Sequence, residues 1–407
     1  MKKFALLVVL SGLLALSLME TSPGREKMPI DSGDSPRMVQ LVSLFMCGDV
    51  MTGRGIDQVL PHPGNPTLHE PYMESAEGYV ELAVRANGPI PRPVNFSYIW
   101  GEALQELERV APDLRMVNLE TSITKSDEYW RGKEVLYRMN PENIFCLTAA
   151  NIDYVALANN HVLDWGYSGL KETLEILRKV KIKYSGTGQN LKEAEAPAVM
   201  EVKGKGRVLV FSFGSETSGI PFSWGAAANK PGVNLLLEYS EKTVEYIRET
   251  ILSMKQPEDI VVASIHWGGN WGYAVSREQT EFAHKLLDYA GVGLIHGHSS
   301  HHVKGLEVYR DKLITYGCGD FLNDYEGISG HESFRDDLSL MYFVSLDPAT
   351  GKLVKLEMTP TQIRKFRVNR ASKADTLWLR DVLNREGKKF GTRVDLREDN
   401  TLALKWH

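Results

Sequence analysis

Cysteine is scarce in this chain, and neither sign of charge dominates. The three cysteines, Cys47, Cys146 and Cys318, cannot all pair with one another, so no disulfide framework organises the fold. Each sits in an apolar or Gly-rich context and reads as a small buried residue. No cysteine lies just after the N-terminal apolar run, which leaves lipoprotein processing without an acceptor there. Lys and Arg number 47 against 52 for Asp and Glu, a net charge of −5 that supports neither a nucleic-acid partner nor a polybasic membrane footprint. No short-period repeat is present, which argues against a solenoid. A shortage of apolar residues is not among the absences. With 43% hydrophobic and 24% charged residues over 407 positions, the chain buries a sizeable core and is not disordered in bulk.

Long hydrophobic runs are also scarce. Lys2 and Lys3 precede the apolar stretch Phe4 to Met19, which is interrupted by Ser11, Gly12 and Ser17 and is short for a relaxed membrane span. It reads as a secretory signal, with Ala15 and Ser17 offering a small-residue cleavage site; an uncleaved anchor is the other reading. The expected division is a signal or anchor at residues 1–22, a linker at 23–38 and a single domain at 39–407. The domain is therefore expected outside the cytoplasm, secreted or tethered to the membrane through its N-terminus.

What the sequence does have is a recurring pattern. The run VQLVSLFM delivers Asp49 at its end, RMVNLE delivers Glu120, and YVALANNH delivers Asn160 and His161. DIVVASIHW then delivers His266, and VGLIHGHSSHH delivers His298 and His301. Apolar, β-branched runs of this length read as buried strands. Between them SYIWGEALQELERV, GYSGLKETLEILRKV, EKTVEYIRETILSM and REQTEFAHKLLDYA place apolar residues at helical spacing. Strands alternating with helices imply α/β layers. Residues 55–96 break the rhythm and read as a long insertion on the rim of the site, where Arg54, Arg85 and Arg92 either meet an anionic substrate or are ordinary surface arginines. From about residue 337 a β-hairpin turning at DPATGK, a helix and a closing hairpin are expected.

Polar residues at the carboxyl ends of several strands meet in one crevice of an α/β sheet, which is where ligands bind. Here those residues are oxygen and imidazole donors, of the kind that suit Mn, Zn or Fe rather than a thiolate site.

The ordered segments GDVMTGR, VNLETSIT, LANNHVLDWG, SIHWGGNW and IHGHSSHHVKGLEVY resemble the motifs of the bacterial capsule synthesis CapA family, also called the poly-γ-glutamate synthesis PgsA family. The resemblance covers roughly residues 40–345. That family is similar to calcineurin-like metallophosphoesterases, so the resemblance implies an α/β, four-layer αββα metallophosphoesterase-like sandwich. It implies metal ligands at Asp49, Glu120, Asn160, His266, His298 and His301, with Glu120 bridging. Met51 stands where those phosphoesterases carry a histidine. The implied divalent metal is therefore held tightly at one position, by Glu120, Asn160, His266 and His298, and more weakly at a second, by Asp49, Glu120 and His301. His161 is the implied general acid, and Asp164 either orients its ring or caps the helix that follows. Trp267 and Trp271 read as an aromatic wall or as core, and Asp320 as a residue reaching the metals or, more simply, as part of a turn. The implied process is capsule biosynthesis. The protein is then a metal-dependent hydrolase acting on a phosphoester or an anionic cell-envelope polymer, or a non-catalytic accessory protein that binds or exports that polymer.

Overall fold

Apolar runs become strands here because both of their faces are covered. The computed structural model describes residues 40–406, so the expected signal or anchor and the linker lie outside the described residues. One mixed sheet contains β1 (Val42–Val50), β2 (Leu114–Leu119), β3 (Tyr154–Ala156) and β4 (Lys183–Ser185), paired in parallel in that order. The second contains β5 (Ala198–Val202), β6 (Gly206–Ser215), β7 (Ile260–His266), β8 (Leu294–His298), β9 (Leu306–Tyr309) and β10 (Lys312–Thr315). Its order is β5-β6-β7-β8-β10-β9, with β6, β7, β8 and β10 parallel. The chain then returns to the first sheet through β11 (Asp320–Leu322), which pairs in parallel with β1. The hairpin of β12 (Leu338–Leu346) and β13 (Leu353–Ile363) follows, and β14 (Arg393–Leu396) and β15 (Leu402–Lys405) close the edge.

The alternation of side chains along each strand sorts them into three cores. Phe45, Val117 and Val155 face α1 (Arg54–Val59), α2 (Glu77–Asn87), α3 (Ala103–Val110) and α4 (Gly166–Lys179). Their neighbours Leu44, Met46, Met116 and Tyr154 meet Val208, Val210, Val262 and Leu294 of the second sheet. Leu209, Phe211, Val261 and Ile295 cover the opposite face of that sheet, against Ile247 and Ile251 of α5 (Glu241–Met254) and Phe282 and Leu286 of α6 (Arg277–Tyr289). Three cores between successive layers make the four-layer αββα sandwich that the resemblance implies. A last helix, α7 (Lys373–Gly387), closes one end of the middle layer with Leu379, Val382 and Leu383. Ser240, Ser276 and Ser372 cap the starts of α5, α6 and α7. Among the described residues no helix is long and apolar enough to cross a membrane.

Residues 55–96 depart from the expected rim loop. Ile56, Val59, Val80, Ala83, Ile90 and Val94 are buried in the core of the first sheet, so the segment is largely a structural layer. Its many prolines and glycines mark turns between short helices and a small hairpin of Thr67–Glu70 with Met73–Ser75, and they masked the apolar spacing in the sequence.

Candidate metal centre

The carboxyl ends of strands from both sheets converge on one seam. β1 delivers Asp49, the residue after β2 is Glu120, the turn after β3 carries Asn159, Asn160 and His161, and β7 and β8 end in His266 and His298, paired in register. Asp49, His266 and His298 each offer a ligand atom, all within 4.8 Å of one another, and Asp49, Glu120 and Asp320 do the same. All five residues are almost completely buried. Asn160 joins through Oδ1, 3.0 Å from His266 Nε2.

Two details differ from the implied ligand sets. The residue common to both groups is Asp49, where the resemblance put Glu120 in the shared role. The second carboxylate group is completed by Asp320, and His301 stands behind it with Nδ1 3.0 Å from each Asp320 oxygen. The sequence left Asp320 open between reaching the metals and belonging to a turn, with YGCGDFLND favouring the turn. The chain does turn at Gly319 (φ 77°), but β11 then pairs with β1 so that Asp320 lies opposite Asp49. A Cβ on Gly48 would lie 1.7 Å from the Gly319 carbonyl oxygen, so this approach requires glycine there.

Burial and mutual proximity shift the titration of these residues. Burial and the adjacent Asp320 push Asp49 up to about 7, and burial with Asp49 and Asp320 holds Glu120 well above the usual carboxylate range. His266 and His298 are pushed well down, by burial first and by neighbouring imidazoles second. Their Nδ1 atoms are 2.8 Å apart, a spacing that demands a proton or a cation between them. Carboxylate oxygens with neutral imidazoles form a donor set fit for a divalent transition metal.

His161 is beside this group and held from three sides. Its Nδ1 is 2.6 Å from Asp164 Oδ2, and Asp164 also accepts from the Tyr137 amide at 2.6 Å. Tyr137 stacks on the imidazole at 3.7 Å with an interplanar angle of 17°. The free Nε2 faces Glu120 Oε1 at 3.8 Å. Asp164 is therefore an orienting residue; α4 begins after Trp165 with no side-chain cap, which corrects the capping alternative. Lys133, which no sequence pattern singled out, places Nζ 2.5 Å from Asp164 Oδ1 and 2.9 Å from His161 Nδ1. Burial, then Lys133 and Arg54, holds His161 well below its ordinary value, whereas burial lifts Asp164 to about 7 against the pull of Lys133.

Arg54 is not a rim arginine. Its side chain is 2% exposed, donating from Nη2 to Asp324 Oδ1 at 2.5 Å, from Nε to Asp324 Oδ2 at 3.2 Å and from Nη1 to Glu70 Oε1 at 3.0 Å. The guanidinium also covers the Tyr79 ring at 3.8 Å and lies 4.8 Å from that of Tyr137. It thus supports the ring that supports His161, and the expectation that it meets substrate is corrected by burial and by these carboxylates. Arg92 pairs with Glu77, and Arg85 remains exposed. The two tryptophans split between their readings: Trp267 is core, donating to the Tyr316 carbonyl at 3.0 Å, whereas half-buried Trp271 stacks on His331 at 3.8 Å and lies 5.2 Å from His301. Cys318 is buried, its thiol pushed up to about 12 by burial, and it belongs to neither donor group.

The profile of the bacterial capsule synthesis protein PGA_cap family matches residues 43–325, the span that carries every donor described above. The chain belongs to this family. Among its relatives is a probable polyglutamine synthesis accessory protein of Mycobacterium tuberculosis, 48% identical over 365 residues, covering 89% of this chain and 96% of that protein. The PGA biosynthesis protein CapA of Bacillus subtilis is 27% identical over 326 residues, with 80% and 72% coverage. The capsule biosynthesis protein CapA of Bacillus anthracis is 24% identical over 286 residues, with 70% and 60% coverage. This member of the PGA_cap family therefore carries the donor groups and the His161 cluster inside the segment that defines the family.

Proposed function

We propose that this PGA_cap protein serves capsule or polyglutamate synthesis outside the cytoplasm, as a metal-dependent hydrolase acting on a phosphoester or on the anionic envelope polymer itself. The names of the relatives support the process, and the observation that carries the hydrolytic reading is His161. A histidine with Nδ1 held by a carboxylate and Nε2 turned to a cluster of metal donors is arranged to move a proton. Asp49, Glu120, Asp320, His266 and His298 would hold Mn, Zn or Fe. Such a metal supplies Lewis-acid polarisation of a phosphoryl or carbonyl oxygen and neutralises the charge that develops there. Asp164 and Tyr137 keep the His161 ring in one orientation, so its Nε2 exchanges a proton with the reacting atom or leaving group without reorganisation. The buried setting of the cluster keeps bulk water away from that exchange.

The second reading, a non-catalytic accessory protein that binds or exports the polymer, is favoured by Met51. Its buried sulfur accepts the Gly53 amide at 3.2 Å in the place where the phosphoesterase resemblance calls for an imidazole. The two readings separate in one assay. Phosphomonoesters, phosphodiesters and γ-glutamyl polymer are offered to the purified protein with Mn²⁺. Turnover that disappears in His161→Ala supports the hydrolase; no turnover on any of them, with the polymer still bound, supports the accessory protein.

A further inference from the structure

Beneath the centre, between the two sheets, lies a hydrogen-bonded line of four groups. Ser264 of β7 and His296 of β8 are opposite each other in register, and His298, two residues on, shares their face. His296 Nε2 is 2.7 Å from the Cys47 carbonyl oxygen of β1, and His296 Nδ1 is 3.2 Å from Ser264 Oγ. Ser264 Oγ is in turn 2.9 Å from His298 Nε2. All three side chains are fully buried.

The direction of every proton follows from the first link. A backbone carbonyl only accepts, so His296 Nε2 carries a hydrogen. Among the described residues no carboxylate is hydrogen-bonded to His296. A buried imidazolium would have no counter-charge there, so the ring is neutral and Nδ1 accepts. Ser264 must then donate its hydroxyl hydrogen to His296 Nδ1, which leaves its oxygen to accept from His298 Nε2–H. With that hydrogen fixed, the Nδ1 of neutral His298 is bare, and this is the nitrogen 2.8 Å from His266 Nδ1 and 4.0 Å from Asp49 Oδ1.

We propose that Ser264 and His296 are positioning residues that hold His298 as its Nε2–H tautomer and so aim the Nδ1 lone pair at the cation position. The inference rests on the metal reading for its purpose, though not for its geometry. Because the line starts on β1 and ends on β8, it also ties the alignment of the two sheets to the orientation of a ligand. Partners of this kind fix ligand orientation and typically change metal affinity when removed.

Two measurements on the full chain test it. In metal-free protein with nitrogen-15-labelled histidine, long-range proton–nitrogen spectra should show His298 protonated at Nε2 and bare at Nδ1. A proton on Nδ1 would mean the line runs the other way and would overturn the proposal. Ser264→Thr and Ser264→Val, equal in shape, separate the hydroxyl from packing. Zn²⁺ titration should show the Val protein binding about 10- to 100-fold more weakly than the Thr protein; equal affinities overturn the proposal. If the unmodified protein takes up no Zn²⁺, the metal reading fails, while the spectrum still decides the tautomer. If the Val protein does not fold, the spectrum again decides.

Discussion

Asp49 and Asp320 lie opposite each other in parallel register across β1 and β11, 1% and 2% exposed, and among the described residues no arginine or lysine is bonded to either. Asp49 instead accepts from the Asn118 amide at 2.7 Å and the Ser299 backbone at 3.2 Å, while Asp320 accepts from Asn323 at 2.8 Å and faces His301. The pair belongs to one centre, and Asp49 is its common member.

The donor groups make unequal metal positions. The Asp49, His266 and His298 group has two neutral nitrogen donors and the Asp49, Glu120 and Asp320 group has none. Dialysis against a mild chelator should leave about one transition metal per chain, because imidazole donors retain such metals better than carboxylates alone. His298→Ala should abolish this retention, Asp320→Asn should spare it, and Asp49→Ala should remove both positions. Metal analysis of the dialysed proteins checks this. Two equally resistant metals would sink the asymmetry, and none would sink the centre.

His161 should matter to turnover and not to metal content. His161→Ala is expected to lower turnover by about 10²- to 10⁴-fold with metal retained. Lys133→Met removes the cation that, after burial, holds His161 down, so the His161 pKa should rise toward its ordinary value. Histidine NMR titration reads this directly; an unmoved pKa would show that burial alone sets it.

Arg54 should act on stability. Removing it leaves Glu70 and Asp324 buried without their partner, a loss expected to cost about 3–5 kcal/mol. Arg54→Met should therefore lower the melting temperature markedly. A variant of unchanged stability with a raised KM for anionic substrate would return Arg54 to the substrate-binding role.

Asp57 supplies a pH signature away from the metal donors. Burial raises it to about 6, although the side chain of Asn143 and the amides of Asn140 and Gly64 all donate to it. The folded state thus binds a proton more tightly than the unfolded state does. Stability should decline as pH rises from the unfolded value near 4 through 6, by up to about 3 kcal/mol at about 1.4 kcal/mol per pH unit. Asp57→Asn should lack this part of the decline. Denaturant unfolding of both proteins at pH 4.5 and 7 measures the difference, and parallel curves would refute the raised value.

The sequence by itself determined the alternation of strands and helices and which strand ends carry most of the converging donor residues. Apolar runs ending in Asp49, Glu120, Asn160, His266 and His298 are strands whose carboxyl ends meet, because a doubly covered parallel strand must be apolar until it leaves the sheet. The helices between them were legible through their spacing, and so was the closing hairpin. Only the tertiary structure decided the rest. Asp320 joins the donors through a strand pairing that no local pattern encodes, and Lys133 reaches His161 from a segment without periodicity. Arg54 turned inward because Glu70 and Asp324, 16 and 270 positions away in the chain, supply the charge that lets a guanidinium be buried. Local spacing reports how a segment meets water and core; which distant carboxylate it meets is settled when the sheets close.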